Sequence, residues 1–435
     1  MSSRLIYNIR QLVGTHTASR LLRGADLATL PCIDNAWLLL EDDQIAAFGP
    51  TSELPATWAR QLAHQRTRQK GTELPHTGPD PDATLIDASG CLVLPAWCDS
   101  HTHLVFAGSR ESEFVDKLKG LSYADINAKG GGILNSARKL AGTSEDDLFQ
   151  SAWQRLHDLA RLGTGAIEIK SGYGLTVDSE LKMLRVIKRL KERSSISIKA
   201  TFLGAHTYPA EYKENHQGYI DLIIKEMLPV IARDQLADYI DVFCEEGFFS
   251  PAETEQIIRA GLGHGLKPKI HANQLNLSGG VEVGVRLGAL SVDHLETMDD
   301  STIATLASST TTIGTLLPTA AFFLRMPFQP ARALLDAGCA IALASDFNPG
   351  SSPSGNMNLV VAMSCIQMRL LPEEAINAAT LNGAYAMSLG DQLGSITPGK
   401  KANLIITRPV PSLAYLPYAF GTDHIGQVLI NGKSI

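Results

Sequence analysis

Nowhere in the 435 residues is there a run of about 18 apolar side chains, the length a membrane-spanning helix requires. The first residues carry Arg4 and Arg10 but no apolar stretch of a secretion signal, so the expected address is the cytoplasm, with no membrane partner. Clustered Lys and Arg are also missing, and the formal charge is −7, which argues against a nucleic-acid surface and for a small-molecule partner. Cysteine is scarce: the six (Cys32, Cys91, Cys98, Cys244, Cys339, Cys365) are scattered without a C-x-x-C pair. They read as reduced, buried thiols and exclude a thiolate zinc site or a disulfide framework. With 44% apolar and 19% charged residues, the composition also excludes disorder.

What is present divides into two textures. Residues 1–94 hold short alternating segments, such as Ala36-Trp37-Leu38-Leu39-Leu40 and Gln44-Ile45-Ala46-Ala47-Phe48, separated by acidic turns and Gly49-Pro50. A stretch from about residue 51 to 83 shows no sustained period and reads as a loop or partly helical insertion. From 95 to 390, apolar runs alternate with amphipathic stretches, for example Glu180 to Leu190 with Asp178 or Ser179 as its cap. Eight strands are expected: Leu92–His103, Ala166–Lys170, Ile198–His206, Tyr239–Glu245, Lys269–Gln274, Leu290–Glu296, Thr311–Leu317 and Ile341–Asp346. Eight parallel strands close a (β/α)8 TIM barrel. Residues 391–435 return to the β style, so both ends are expected to complete one small β-sandwich beside the α/β barrel.

Of twelve histidines, His101, His103, His206, His271 and His294 stand at or just past the C-terminal ends of apolar strands. In a barrel that edge is where loops converge on one pocket. His101 and His103 are two apart, so both imidazoles project from the same face of one strand. Asp346 ends another buried run, and a carboxylate there needs a positive partner. Three imidazoles and one carboxylate suit a single zinc or iron ion, and the residues do not choose between the two. His294 is either a fourth ligand or a group that holds water or substrate; the second role is preferred. A bridging modified lysine for a second metal is expected on the fourth strand, which ends in Cys244-Glu245-Glu246. Lys170 lies on the second, so one metal is expected, with Lys170 a structural or substrate-side cation.

The blocks Pro95-x-x-x-Asp99-Ser100-His101-Thr102-His103, the later His271, His294 and Asp346, and Gly394-Ser395-Ile396-Thr397-Pro398-Gly399-Lys400 resemble the amidohydrolase superfamily. Within it, His101 to Arg110, Gly130-Gly131-Gly132-Ile133, Glu168 to Leu175, Thr201 to His206 and Asp346 to Pro353 resemble the imidazolonepropionase family of histidine degradation. The resemblance implies hydrolytic opening of 4-imidazolone-5-propanoate to N-formimidoyl-L-glutamate. It assigns His101, His103, His271 and Asp346 to one metal, zinc or iron, and implies substrate contacts from Arg110, Tyr173, His206 and Gln274. Asn348, Gly350 and Ser351 line the far side. Gln274 falls where some relatives have Glu, and an amide cannot serve as a base.

The mechanism so implied makes Asp346 both ligand and proton shuttle. Metal-activated water attacks the ring carbonyl, while His294 or His206 steadies the oxyanion. Arg110 offers a fork for the propanoate, and Tyr173 sits on a flexible Ser171-Gly172-x-Gly174 turn. The rivals are another cyclic amidase or aminohydrolase on the same scaffold, and a scaffold that has lost its chemistry. A homodimer is the expected assembly.

Overall fold

The computed structural model describes residues 3–17, 19–69, 84–121 and 131–435. Sixteen strands occur among them, in two sheets of eight. The first sheet comes from both chain ends: β1 (Ser3–Val13), β2 (Cys32–Glu41), β3 (Gln44–Pro50), β4 (Thr84–Asp87), β5 (Leu92–Pro95), and later β14 (Leu404–Thr407), β15 (Ile425–Ile430) and β16 (Lys433–Ser434). The order is β16-β15-β14-β5-β1-β2-β3, with β4 also on β1, so the N- and C-terminal strands meet where β14 pairs antiparallel with β5. Pairing is antiparallel except that β1 runs parallel to β4 and β5. The small domain is thus one hydrogen-bonded sheet that curls over its own core. Ile6, Leu12, Leu38, Leu40, Val93, Leu404 and Leu429, drawn from strands across its width, fall in a single buried cluster.

The second sheet holds β6 (Trp97–Asp99), β7 (Thr164–Lys170), β8 (Ser197–Ala205), β9 (Tyr239–Cys244), β10 (Lys267–Ala272), β11 (Ser291–His294), β12 (Ile313–Leu316) and β13 (Ile341–Leu343). They pair in parallel in strict sequence order, with helices between them, as the alternation of runs requires. The ring closes just beyond the strands of its seam: Asp346 N–H donates to His101 O at 3.0 Å and His103 N–H to Phe347 O at 2.9 Å. The two strand extensions that carry the expected ligands are therefore stitched to each other.

Two details correct the expectations. The single strand expected over Leu92–His103 is broken at Ala96: β5 belongs to the terminal sheet and β6 to the barrel. Ala96 N–H donates to Asn403 O at 2.9 Å, and the Asn403 amide donates to Gly165 O at 3.0 Å, so the Lys401-Ala402-Asn403 stretch is the hinge pin between the sheets. The helix expected from Glu180 starts earlier, at Val177, because the Thr176 hydroxyl caps Ser179 N–H at 3.3 Å. Within the 51–83 stretch Ala56–Gln69 is helical, while residues 70–83, like Gly130, lie outside the described residues. All six thiols are free, but Cys32 is exposed and Cys365 only half-buried, where both were expected to be buried.

Candidate active site

At the C-terminal mouth of the barrel a cavity of about 470 Å³ is lined by His103, His206, His271, His294 and Asp346 on its floor. Arg110, Tyr173, Gln274, Asn348, Gly350 and Ser351 stand around it. His101 lies beneath, its ring 4.5 Å from that of His271 and 5.4 Å from that of His103. His101 Nε2 and His103 Nε2 are each 3.5 Å from Asp346 Oδ1. Two triads able to grip one ion overlap at His101: His101, His103 and Asp346; and His101, His271 and His294.

The donor chemistry fits a cation. His101 Nδ1–H donates to Asp293 Oδ2 at 2.7 Å, which leaves Nε2 as a lone pair facing the cluster. His271 Nδ1 lies 2.9 Å from Asp241 Oδ2, though not in line for a hydrogen bond. His101 Nε2, His103 Nδ1 and both ring nitrogens of His271 are buried without a hydrogen-bond partner. Buried polar atoms are normally satisfied, so a cluster of orphaned imidazole nitrogens beside a carboxylate marks a place for a metal ion. Burial first, then neighbouring Lys170 or the other imidazoles, holds His101, His103 and His271 well below the usual histidine value; these rings are neutral donors. Burial likewise pushes the Asp346 carboxyl up to about 7, opposed by His294.

His294 is the exception. Burial works to lower it, but Glu296, 3.4 Å from Nδ1, together with Asp346 and Asp293 outweighs burial and raises it. Glu296 is itself held by the Gln329 amide at 3.0 Å. His206 stacks on His103 at 5.2 Å and donates through Nδ1–H to Gly172 O at 3.1 Å; burial lowers it to about 4. The backbone is strained here: His294, Leu295, Asn273 and Asp346 all have positive φ. For His294 and Leu295 this costs on the order of 1–3 kcal/mol each and is kept where the surroundings enforce it, whereas Asn and Asp adopt it more readily.

Around the rim, Arg110 is already engaged. Its Nε and Nη2 both point to Glu113 Oε2 at 2.9 Å, so only the Nη1–Nη2 edge is left for a ligand. Glu113 in turn accepts from Gly132 N–H and the Asn135 amide, each at 3.2 Å, so it ties Gly132 to Arg110. Gly350 lets Arg110 lie close: a Cβ there would fall 2.2 Å from Arg110 Nη1 and push the guanidinium aside. The Tyr173 turn is not flexible. The buried Glu180 carboxylate accepts the N–H groups of Gly172, Gly174 and Leu175 at 3.1, 2.6 and 3.0 Å, and Tyr173 is packed within 5.7 Å of both His103 and His206. Asn348 spends its amide on the loop itself, receiving Gly350 and Ser351 N–H at 2.8 Å; Ser351 Oγ then donates to Asp346 Oδ2 at 3.3 Å.

Sequence reasoning missed Asp241, Asp293, Glu296 and Lys117. Lys117 also lines the cavity, its ammonium 5.8 Å over Phe323. The spacing Arg110, Glu113, Lys117 is one helical face and was the available signal.

A family model, described as the amidohydrolase family, matches residues 92–435. The chain belongs to the amidohydrolase family. Solved structures share its fold at low identity: Escherichia coli guanine deaminase, with TM-score 0.71, 14% identity and coverage of 100% of this chain and 98% of that one; and a zinc-bound adenosine deaminase from Xanthomonas campestris, with TM-score 0.67, 16% identity and coverage of 99% and 92%. Narrower kinship comes from relatives named imidazolonepropionase. That of Flavobacterium johnsoniae is 55% identical over 432 residues, 99% of each chain, and that of Thermoanaerobacter pseudethanolicus 38% identical over 425 residues, 98% of this chain and 96% of its own. Within the amidohydrolases, this chain falls among the imidazolonepropionases.

Proposed function

We propose that the chain opens the ring of 4-imidazolone-5-propanoate with water to give N-formimidoyl-L-glutamate, a step of histidine degradation, at one metal ion held by His101, His103, His271 and Asp346. The observation that carries this reading is the make-up of the cavity. Asp346 is the one carboxylate among its described lining residues, it lies beside imidazoles with orphaned nitrogens, and Arg110 lines the same cavity. Zinc and iron fit the donor set equally well.

When bound, such an ion supplies Lewis-acid polarisation of the ring carbonyl and a nucleophilic water near neutral pH. The protein does the rest. Arg110 receives the propanoate on its free edge, and Tyr173, held rigid by Glu180, shapes the slot for the ring. Asp346 takes the proton of the attacking water. Gln274 cannot, being an amide, so no second carboxylate competes for the task. His294, kept basic by Glu296, and His206 flank the carbonyl and steady the charge that forms on its oxygen. Asp346 then gives the proton to the departing ring nitrogen as the carbon–nitrogen bond breaks. The carbonyl carbon becomes the new carboxylate, and the propanoate becomes the side-chain carboxylate of the product.

The test follows the ultraviolet absorbance of freshly generated 4-imidazolone-5-propanoate mixed with the purified protein, with and without chelator. Chelator-sensitive loss with formation of N-formimidoyl-glutamate is expected. Stable absorbance in the presence of protein carrying about one metal per chain overturns the substrate assignment.

A further inference from the structure

Below the ligand cluster the barrel interior holds five charged side chains with no solvent exposure beyond a trace: Glu168 and Lys170 on β7, Asp241 on β9, Lys269 on β10 and Asp293 on β11. Branched apolar residues usually fill this space in such barrels, and burying each ion costs several kcal/mol before pairing returns any of it. Their contacts form one connected set. Lys170 Nζ lies 2.6 Å from Glu168 Oε1, 2.8 Å from Asp241 Oδ2 and 3.6 Å from Asp293 Oδ2. Lys269 Nζ pairs with Glu168 Oε2 and donates to Ser100 O at 2.9 Å.

The upper side of the set touches the expected ligands. Asp293 Oδ2 receives His101 Nδ1–H, and its Oδ1 is fixed by Ser291 Oγ at 2.6 Å. Asp241 straddles His271: Oδ1 accepts the backbone N–H at 3.1 Å, while Oδ2 lies 2.9 Å from ring Nδ1. Each carboxylate therefore meets an imidazole on one side and the Lys170 ammonium on the other. Three carboxylates against two ammonium groups leave negative charge under the cluster, the sign that a cation above it requires.

We propose that Lys170, with Asp241 and Asp293, is a positioning device for the metal centre. One ammonium clamps the two carboxylates that set the ring orientations of His271 and His101, so the two imidazoles present Nε2 as a pair and not independently. This rests on the ligand assignment proposed above. It gives the buried lysine of the second strand a task toward the metal without making it a ligand.

The experiment loads cobalt(II) into the metal-free full-length protein and reads two quantities: the visible absorption bands, which report ligand geometry, and the half-life of cobalt release to a chelator. Lys170→Met, Asp241→Asn and Asp293→Asn are compared with wild type and with Glu168→Gln, which contacts both lysines but no histidine. The first three are expected to shift the bands and shorten the half-life by about 10- to 100-fold, the effect usual for partners of metal-bound histidines. Glu168→Gln is expected to lower the melting temperature with the bands unmoved. Wild-type bands and release in folded Lys170→Met overturn the proposal and leave the network a purely structural one. Should Lys170→Met not fold, the near-isosteric Asp241→Asn and Asp293→Asn decide by the same readings. His271→Ala keeps the two assignments apart: unchanged cobalt bands in that variant remove the ligand set itself, whatever Lys170 does.

Discussion

In the terminal sheet, residues with positive φ such as Asp42 and Asn431 sit in the tight turns between β2 and β3 and between β15 and β16, where Asp and Asn adopt that conformation at little cost. At the barrel mouth the same conformation falls on His294 and Leu295, for which it is unfavourable. The contrast extends to polar groups. Thr407 in the sheet accepts Leu92 N–H from the neighbouring strand, and Asn403 beside it accepts Asn431 N–H and donates to Gly165 O, whereas the mouth keeps four imidazole nitrogens unpartnered. One region is assembled to be stable; the other holds side chains where stability alone would not put them, and the sheet and the apolar strand faces offset the cost.

The largest break in that contrast is His271→Ala. It removes a central donor and is expected to abolish bound metal, by emission analysis, and to cut turnover by more than about 10³-fold, while the far-ultraviolet circular dichroism of both sheets persists. Asp346→Asn sharpens it. Turnover should fall about 10²- to 10⁴-fold, as for loss of a general base, yet the metal-free variant should melt no lower than wild type, since Asn tolerates positive φ and carries no buried acid. Near-normal turnover by metal-loaded Asp346→Asn would sink its role as shuttle. Leu404→Ala in the terminal sheet is expected to do the reverse: about 2–5 kcal/mol lost in denaturant unfolding, with kcat unchanged in the folded enzyme. Arg110→Ala removes one charge-assisted contact worth about 1.5–3 kcal/mol, so KM should rise roughly 10- to 100-fold with a smaller change in kcat.

The smallest effect lies at the junction. His16, after β1, is hydrogen-bonded through Nε2 to Asn377 Oδ1 at 3.1 Å on the barrel side, and burial, opposed by that bond, lowers its pKa below the usual 6.5. The unfolded chain therefore binds a proton that the folded chain resists. Stability from this group is complete above pH 6.5 and drains away as the pH falls below it toward the folded value. His16→Gln should flatten that part of the acid dependence of the denaturation midpoint; an unchanged slope between pH 7.5 and 5.5 removes His16 as its source.

Much of the barrel was readable because period and punctuation are local: each apolar run ends in a polar residue at the mouth, and Asp346 announced itself as a charge closing a buried strand. The same argument applies to Asp241 inside Tyr239-Ile240-Asp241-Val242-Phe243 and to Asp293 before His294, but their partners are the ring edges of histidines on other strands, a relation that no single segment displays. The break at Ala96 was hidden for a similar reason. Leu92 to Asp99 is uniformly buried, so apolar character runs on while the hydrogen-bond partner changes from β1 and β14 to β7. The rigidity of the Tyr173 turn depends on Glu180, which the sequence places only as a member of an amphipathic helix.

The seam of the barrel has a consequence for the life of the chain. His101 and His103 emerge early in synthesis and Asp346 some 240 residues later, and the two backbone hydrogen bonds between their segments are what shut the ring. A nascent chain that has made the first seven barrel strands already carries all five imidazoles of the mouth but neither Asp346 nor the closed wall that orients them. With the ligand set proposed above, the full set of donors exists only once the last strand has docked against the first, so metal content would report that closure.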